Sequence, residues 1–161
     1  MHIPLSIRRR MNVKRRLSWF PPFRMMSVKV ESLSDDWRHA RIRLPLKAFN
    51  RNPGGGMYGG AIANLADPIP ALACNRVFPG HQLWTRSMQL DYRREGRSDL
   101  ILRFDFDSEQ EQSIRDELAE RGRATPAFEY GFYDVNDRLC VKVINTVAIR
   151  PGDYRPRVKD E

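Results

Sequence analysis

Residues 52–70 read Asn52-Pro53-Gly54-Gly55-Gly56-Met57-Tyr58-Gly59-Gly60-Ala61-Ile62-Ala63-Asn64-Leu65-Ala66-Asp67-Pro68-Ile69-Pro70. A glycine-rich loop opens into a run, Met57 to about Arg76, that is apolar on nearly every side. Only Asn64, Asp67 and Asn75 interrupt it. A helix that is hydrophobic all round is a buried helix. Pro68 and Pro70 each remove a backbone donor, so the helix is expected to kink or break there.

On both sides of this segment the hydrophobic period is two. Upstream, Met26, Val28 and Val30 alternate with polar residues, as do Ala40, Ile42, Leu44 and Leu46. Pro45 makes the second of these a candidate edge strand, because proline cannot donate to a ladder. Downstream, Trp84, Met88, Leu90 and Tyr92 read as a strand, then Leu100, Leu102, Phe104 and Phe106. Ser108 and Glu111 have capping-box spacing for a surface helix with a thin stripe of Ile114 and Leu118, ending near Gly122. Two last strands carry Phe128, Tyr130 and Phe132, then Leu139, Val141 and Val143, the latter extending through Val147 and Ile149. The order predicts an α+β domain. A curved antiparallel sheet wraps one long buried helix, with an extra surface helix before the last two strands.

The chain of 161 residues carries a net charge of +8. Seven of its basic residues (Arg8, Arg9, Arg10, Lys14, Arg15, Arg16 and Arg24) and no acidic one fall in the first 24 positions, so the remainder is nearly neutral. The expected organisation is a basic arm over 1–24, one domain over 25–150 and a polar tail over 151–161. The arm is expected to be a solvated tail, or a stretch upstream of a start at Met11, rather than a nucleic-acid or membrane contact. Two cysteines and three scattered histidines give neither a disulfide framework nor metal-ligand spacing. No apolar run has the length of a membrane span or signal peptide, so the expected compartment is the cytoplasm.

Gly54 to Gly59 matches the letters of a dinucleotide fingerprint, G-x-G-x-x-G, but Pro68 to Leu90 holds no acidic partner for a ribose, and no Gly-Lys-Ser/Thr follows for a phosphate loop. The glycines can instead expose the first N–H groups of a helix to an oxygen atom, as in an anion site or oxyanion hole, or serve close packing alone. Asp67 admits two readings. Burial would raise its pKa and suit it to act as a base; alternatively, Asp followed by Pro can cap a helix.

The string from Asn52 to Asp67 resembles the hotdog-fold proteins, in particular the acyl-CoA thioesterases of the phenylacetate-pathway type. Their motif runs Asn-x-x-Gly-Thr-x-His-Gly-Gly, then six residues, then Asp. It is most similar to an uncharacterised bacterial branch with Asn-x-x-Gly-Thr-x-Phe-Gly-Gly, Ala-Asp-Pro and a strand starting Trp-Thr or Trp-Asp. The counterparts here are Ala66-Asp67-Pro68 and Trp84-Thr85. Tyr58 replaces the His and Gly56 the Thr.

The resemblance, over about residues 23–150, implies hydrolysis of an acyl-CoA thioester. The Gly59 N–H would polarise the carbonyl, and Asp67 would activate water or attack, usually from the other subunit. Asn52, Tyr58, Gly60 and Thr85 would bind substrate, with the Thr85 hydroxyl helping to hold the water. It further implies a homodimer, possibly paired into a homotetramer. Coenzyme A enters only as part of the substrate, with Arg51, Arg76 or Arg86 as candidates for its phosphates, and no separate cofactor or metal is expected. The departures leave a non-catalytic acyl- or lipid-binding protein as the alternative.

Overall fold

The computed structural model describes residues 17–155. Most of the basic arm and the end of the polar tail lie outside them. The elements in chain order are α1 (Pro21–Met25), β1 (Lys29–Leu33), β2 (His39–Leu44), a short 3-10 turn (Ala48–Asn50), α2 (Gly59–Ala66), α3 (Pro68–Val77), β3 (His81–Tyr92), β4 (Leu100–Asp105), α4 (Ser108–Arg121), β5 (Ala127–Tyr133) and β6 (Leu139–Pro151). The strands form one sheet in the order β1-β2-β4-β5-β6-β3, every neighbouring pair antiparallel.

The expected class holds: an antiparallel sheet packs its apolar face on the helical segment α2–α3. Alternation supplies that face. Ile42 and Leu44 of β2, Leu100, Leu102 and Phe104 of β4, Phe128 and Phe132 of β5 and Val143 and Val147 of β6 are buried against Leu65, Ala66, Ile69 and Cys74. At its centre Phe104 lies 5.6 Å from Tyr130 and 5.9 Å from Phe128, ring centroid to ring centroid. Phe23, within the stretch read as arm, is fully buried in this core.

Three local expectations are corrected. β2 is an interior strand between β1 and β4, because it ends at Leu44, just before Pro45 would interrupt the ladder. The edges are β1 and the 12-residue β3. The helical run is interrupted at Asp67, just before Pro68, as the prolines implied. The N-cap of α4 is Asp107, whose carboxylate accepts from the Gln110 N–H at 2.7 Å, one residue earlier than the capping box placed it. The C-terminal expectation stands: Gly122 closes α4 in the left-handed region at φ 65°.

The third correction reaches the site. The register of β3 against β6 shifts between Thr85 and Ser87, a bulge centred on Arg86. Leu83 and Thr85 therefore face the helix before the bulge, and Met88 and Leu90 after it. Trp84, expected on the face of Met88, turns outward and stacks on Tyr154 at 5.8 Å.

Candidate active site

The glycine loop is closed by Asn52. Its Oδ1 accepts from the Gly56 N–H at 3.1 Å and its Nδ2 donates to the Met57 carbonyl at 3.4 Å. Its backbone N–H donates to the Gly56 carbonyl and its own carbonyl accepts from Gly55. Gly55 sits at φ 91°, where a side chain would be strained. A Cβ on Gly56 would come 2.7 Å from Cγ of Glu95, so a threonine there would displace that side chain. Two further bonds aim the loop at the helix: Met57 N–H to the Gly96 carbonyl and Tyr58 N–H to the carbonyl of buried Asn50, both 2.8 Å.

α2 then starts without a cap. Tyr58 is the N-cap residue and its side chain caps nothing. The Tyr58 carbonyl accepts from Ala61 at 3.0 Å, but among the described residues no acceptor closes on the Gly59 or Gly60 N–H. Two tyrosines frame these amides. A Cβ on Gly60 would meet the Tyr58 ring at 2.4 Å, and the Tyr92 hydroxyl donates to the Gly59 carbonyl at 3.2 Å. Burial, with the neighbouring Tyr58 adding, pushes the Tyr92 phenol up. Tyr92 was not recognised as a site residue from the sequence; its place at the end of β3 gave no local signal.

Asp67 terminates α2 and precedes α3 in helical geometry, φ −47° and ψ −54°. Its carboxylate makes no cap bond, so the helix-cap reading fails. The expected desolvation fails too, since Asp67 is exposed in the single chain. The backbone at this point is what the fold holds firmly. The Asp67 carbonyl accepts from the Thr85 hydroxyl and from Asn145 Nδ2, each at 3.0 Å. The Ala66 carbonyl accepts from the Tyr130 hydroxyl at 2.7 Å. Asn145 had a readable signal: it is the single polar residue in the inward alternation Val141, Val143, Asn145, Val147, Ile149. Beside Asp67 lies a surface hollow of ≈ 500 Å³, walled by Thr85 and by apolar Ala71, Leu72 and Leu83.

The structure thus brings Asp67 and Thr85 together, and separately Gly59, Gly60 and Tyr58, with Asn52 behind them. The two groups stand at opposite ends of α2, about 12 Å apart at about 1.5 Å rise per residue. Arg76 donates to the Asp35 carbonyl, Arg51 borders a second hollow of ≈ 520 Å³ beside Asn52, and Arg86 projects from the β3 bulge. Cys74 and Cys140 are buried free thiols, and burial pushes Cys74 up to about 12, far from a thiolate nucleophile.

Comparison with family models matches residues 10–148 to the domain of unknown function DUF4442. The chain belongs to this family. The DUF4442 chain superposes on a Pseudomonas aeruginosa protein of unknown function named a probable thioesterase, at 23% identity and a TM-score of 0.75, covering 93% of this chain and 97% of that one. It also superposes on a Haemophilus influenzae thioesterase (14% identity, TM-score 0.68, 96% of each chain). A third match is a Staphylococcus aureus thioesterase (15% identity, TM-score 0.62, 80% of this chain and 97% of that one). At these identities the superpositions show the fold alone, a hotdog. Comparison with curated proteins gives no significant match. No helix among the described residues is long and apolar enough to cross a membrane.

Proposed function

We propose that this DUF4442 protein hydrolyses an acyl-CoA thioester in a homodimer, with Asp67 of one copy and the Gly59–Gly60 amides of the other acting on the same carbonyl. The observation that carries this reading is a pair of open amides at the start of α2, followed one helix length later by a solvent-facing carboxylate. A thioester carbonyl spans far less than the length of α2, so the two ends of one helix cannot serve one substrate. A second copy supplies the missing half. The outer edge of β3 supports this: it is a 12-residue strand paired only with β6 and lying next to the hollow at Asp67. An exposed edge of that length favours pairing with another chain, and two-fold symmetry is the default for such a contact.

In this mechanism the carbonyl oxygen accepts hydrogen bonds from Gly59 and Gly60, which strengthen as the tetrahedral oxyanion forms. Loss of one such donor typically costs about 3 kcal/mol of the barrier. Thr85 has committed its hydroxyl hydrogen to the Asp67 carbonyl, so its oxygen can only accept; water would donate one O–H to Thr85 and the other to the Asp67 carboxylate. Asp67 takes the proton as water attacks. Collapse then expels the thiolate, which recovers that proton. The hollow of Ala71, Leu72 and Leu83 offers an apolar wall to the acyl chain.

The test is a panel of acyl-CoAs of graded chain length with free-thiol detection, run beside sedimentation. Turnover by a dimer is expected. A monomer at micromolar concentration, or no turnover of any acyl-CoA, overturns the reading. Acyl ligand retained in native mass spectrometry without turnover would make the protein a binding module.

A further inference from the structure

We infer that Tyr130, Asn145 and Thr85 form a clamp that anchors the backbone at the proline-interrupted junction of α2 and α3 to the sheet and so sets where the Asp67 carboxylate points; they are positioning residues for Asp67. The assignment rests on reading Asp67 as the reacting carboxylate.

The argument begins with the prolines. In an uninterrupted helix the Ala66 carbonyl accepts from the N–H of residue 70. Residue 70 is proline and has none, and a buried carbonyl without a donor is destabilising. The Tyr130 hydroxyl reaches across from β5 to fill that place at 2.7 Å. A phenol donates once, so its oxygen is left to accept, and Asn145 Nδ2 lies 3.4 Å from it. The same Nδ2 donates at 3.0 Å to the Asp67 carbonyl, where the Thr85 hydroxyl joins it from β3. Three strands, β3, β5 and β6, therefore converge on two consecutive carbonyls at the junction of α2 and α3.

Two features separate this from ordinary core packing. Asn145 is completely buried, yet its Oδ1 has no hydrogen-bond partner. A valine would continue the inward alternation of β6 without that penalty, so what the amide contributes is its N–H groups. Thr85 faces the helix only because of the bulge at Arg86; an unbroken register would turn it outward. Burial pushes the Tyr130 phenol well above its ordinary value against a smaller opposing pull from Asn145, and the Asp67 charge adds to the rise, so it remains a donor at any working pH.

The prolines also provide the test. Pro70→Ala returns an N–H to the Ala66 carbonyl. Full-length wild type, Tyr130→Phe, Pro70→Ala and the double variant are compared by urea midpoint, by 13C titration of the Asp67 carboxyl and by turnover of an acyl-CoA. Tyr130→Phe is expected to lower the urea midpoint, and Pro70→Ala to recover more than half of that loss in the double variant. Turnover in the double variant should stay at least tenfold down with KM within twofold of wild type, because the Ala66 carbonyl, bonded within the helix again, no longer ties this turn to β5. Its Asp67 titration midpoint should shift with it. Purely additive urea midpoints would show that Tyr130 does not replace the missing donor and overturn the clamp. Turnover returning together with stability would overturn the positioning role. If wild type hydrolyses no thioester, the hydrolase reading falls by itself, and the titration decides the clamp: a midpoint unchanged across all four proteins overturns it, and a shift confined to the two variants without the Tyr130 hydroxyl upholds it.

Discussion

The surface helix α4 and the buried pair α2–α3 solve the problem of helix ends in opposite ways. α4 is closed by its own neighbourhood in sequence. Asp107 caps its start, Gly122 its end, and Glu111 pairs with Arg115 one turn on. The buried pair breaks each of these rules. Its first amides are uncapped glycines, and prolines interrupt it at two positions. Its middle carbonyls take their hydrogen bonds from strands far away in sequence. A segment that forgoes local closure must be held by tertiary contacts, and such departures concentrate where a protein keeps groups free for chemistry. The free groups here are the Gly59 and Gly60 amides and the Asp67 carboxylate.

The sharpest way to break the contrast is Asp67→Asn. If Asp67 is held for chemistry, turnover falls by about 10²–10⁴-fold while thermal midpoint and sedimentation stay at wild-type values. Full activity would return α2–α3 to a packing role. Next in size is Phe104→Ala, which empties the ring position against Tyr130 and Phe128. A loss of about 3–5 kcal/mol is expected in urea unfolding. Hydrogen exchange should rise in α2–α3 more than in α4, because α2–α3 buries residues along its whole length in that core whereas α4 buries only Ile114.

Asp107→Ala probes the self-sufficient helix. It should cost about 1 kcal/mol, seen as faster amide exchange confined to the first turn of α4, with turnover unchanged. The smallest effect belongs to Glu111. Burial pushes its carboxyl up, but hydrogen bonds from Arg115 and Arg38 outweigh this and hold it below the usual 4.5. A depressed folded pKa stabilises the fold above the unfolded value and loses that contribution as pH falls through the folded one. Wild type should therefore exceed Glu111→Gln by less than about 1 kcal/mol at neutral pH. That difference should vanish on acid titration below 4.5. A difference that persists unchanged at low pH would remove the ion pairs as its cause.

The sequence by itself determined the class of fold and the elements that short-range physics controls. Periods of two and a run apolar on all sides state which surfaces must be buried, and burial of those surfaces admits few arrangements. Gly122 as a helix stop and the glycine-to-Asp67 segment were legible for the same reason: each depends on residues a few positions apart. What depended on distant residues was not. Whether Asp67 caps a helix or faces solvent is decided by Thr85, Tyr130 and Asn145, which lie 18, 64 and 78 positions along the chain from their backbone partners. The face that Thr85 presents is decided by a one-residue register slip against β6, and β2 became an interior strand through its pairing with β4. Register and strand order emerge only when the whole sheet closes, since a single extra residue reverses every side chain beyond it.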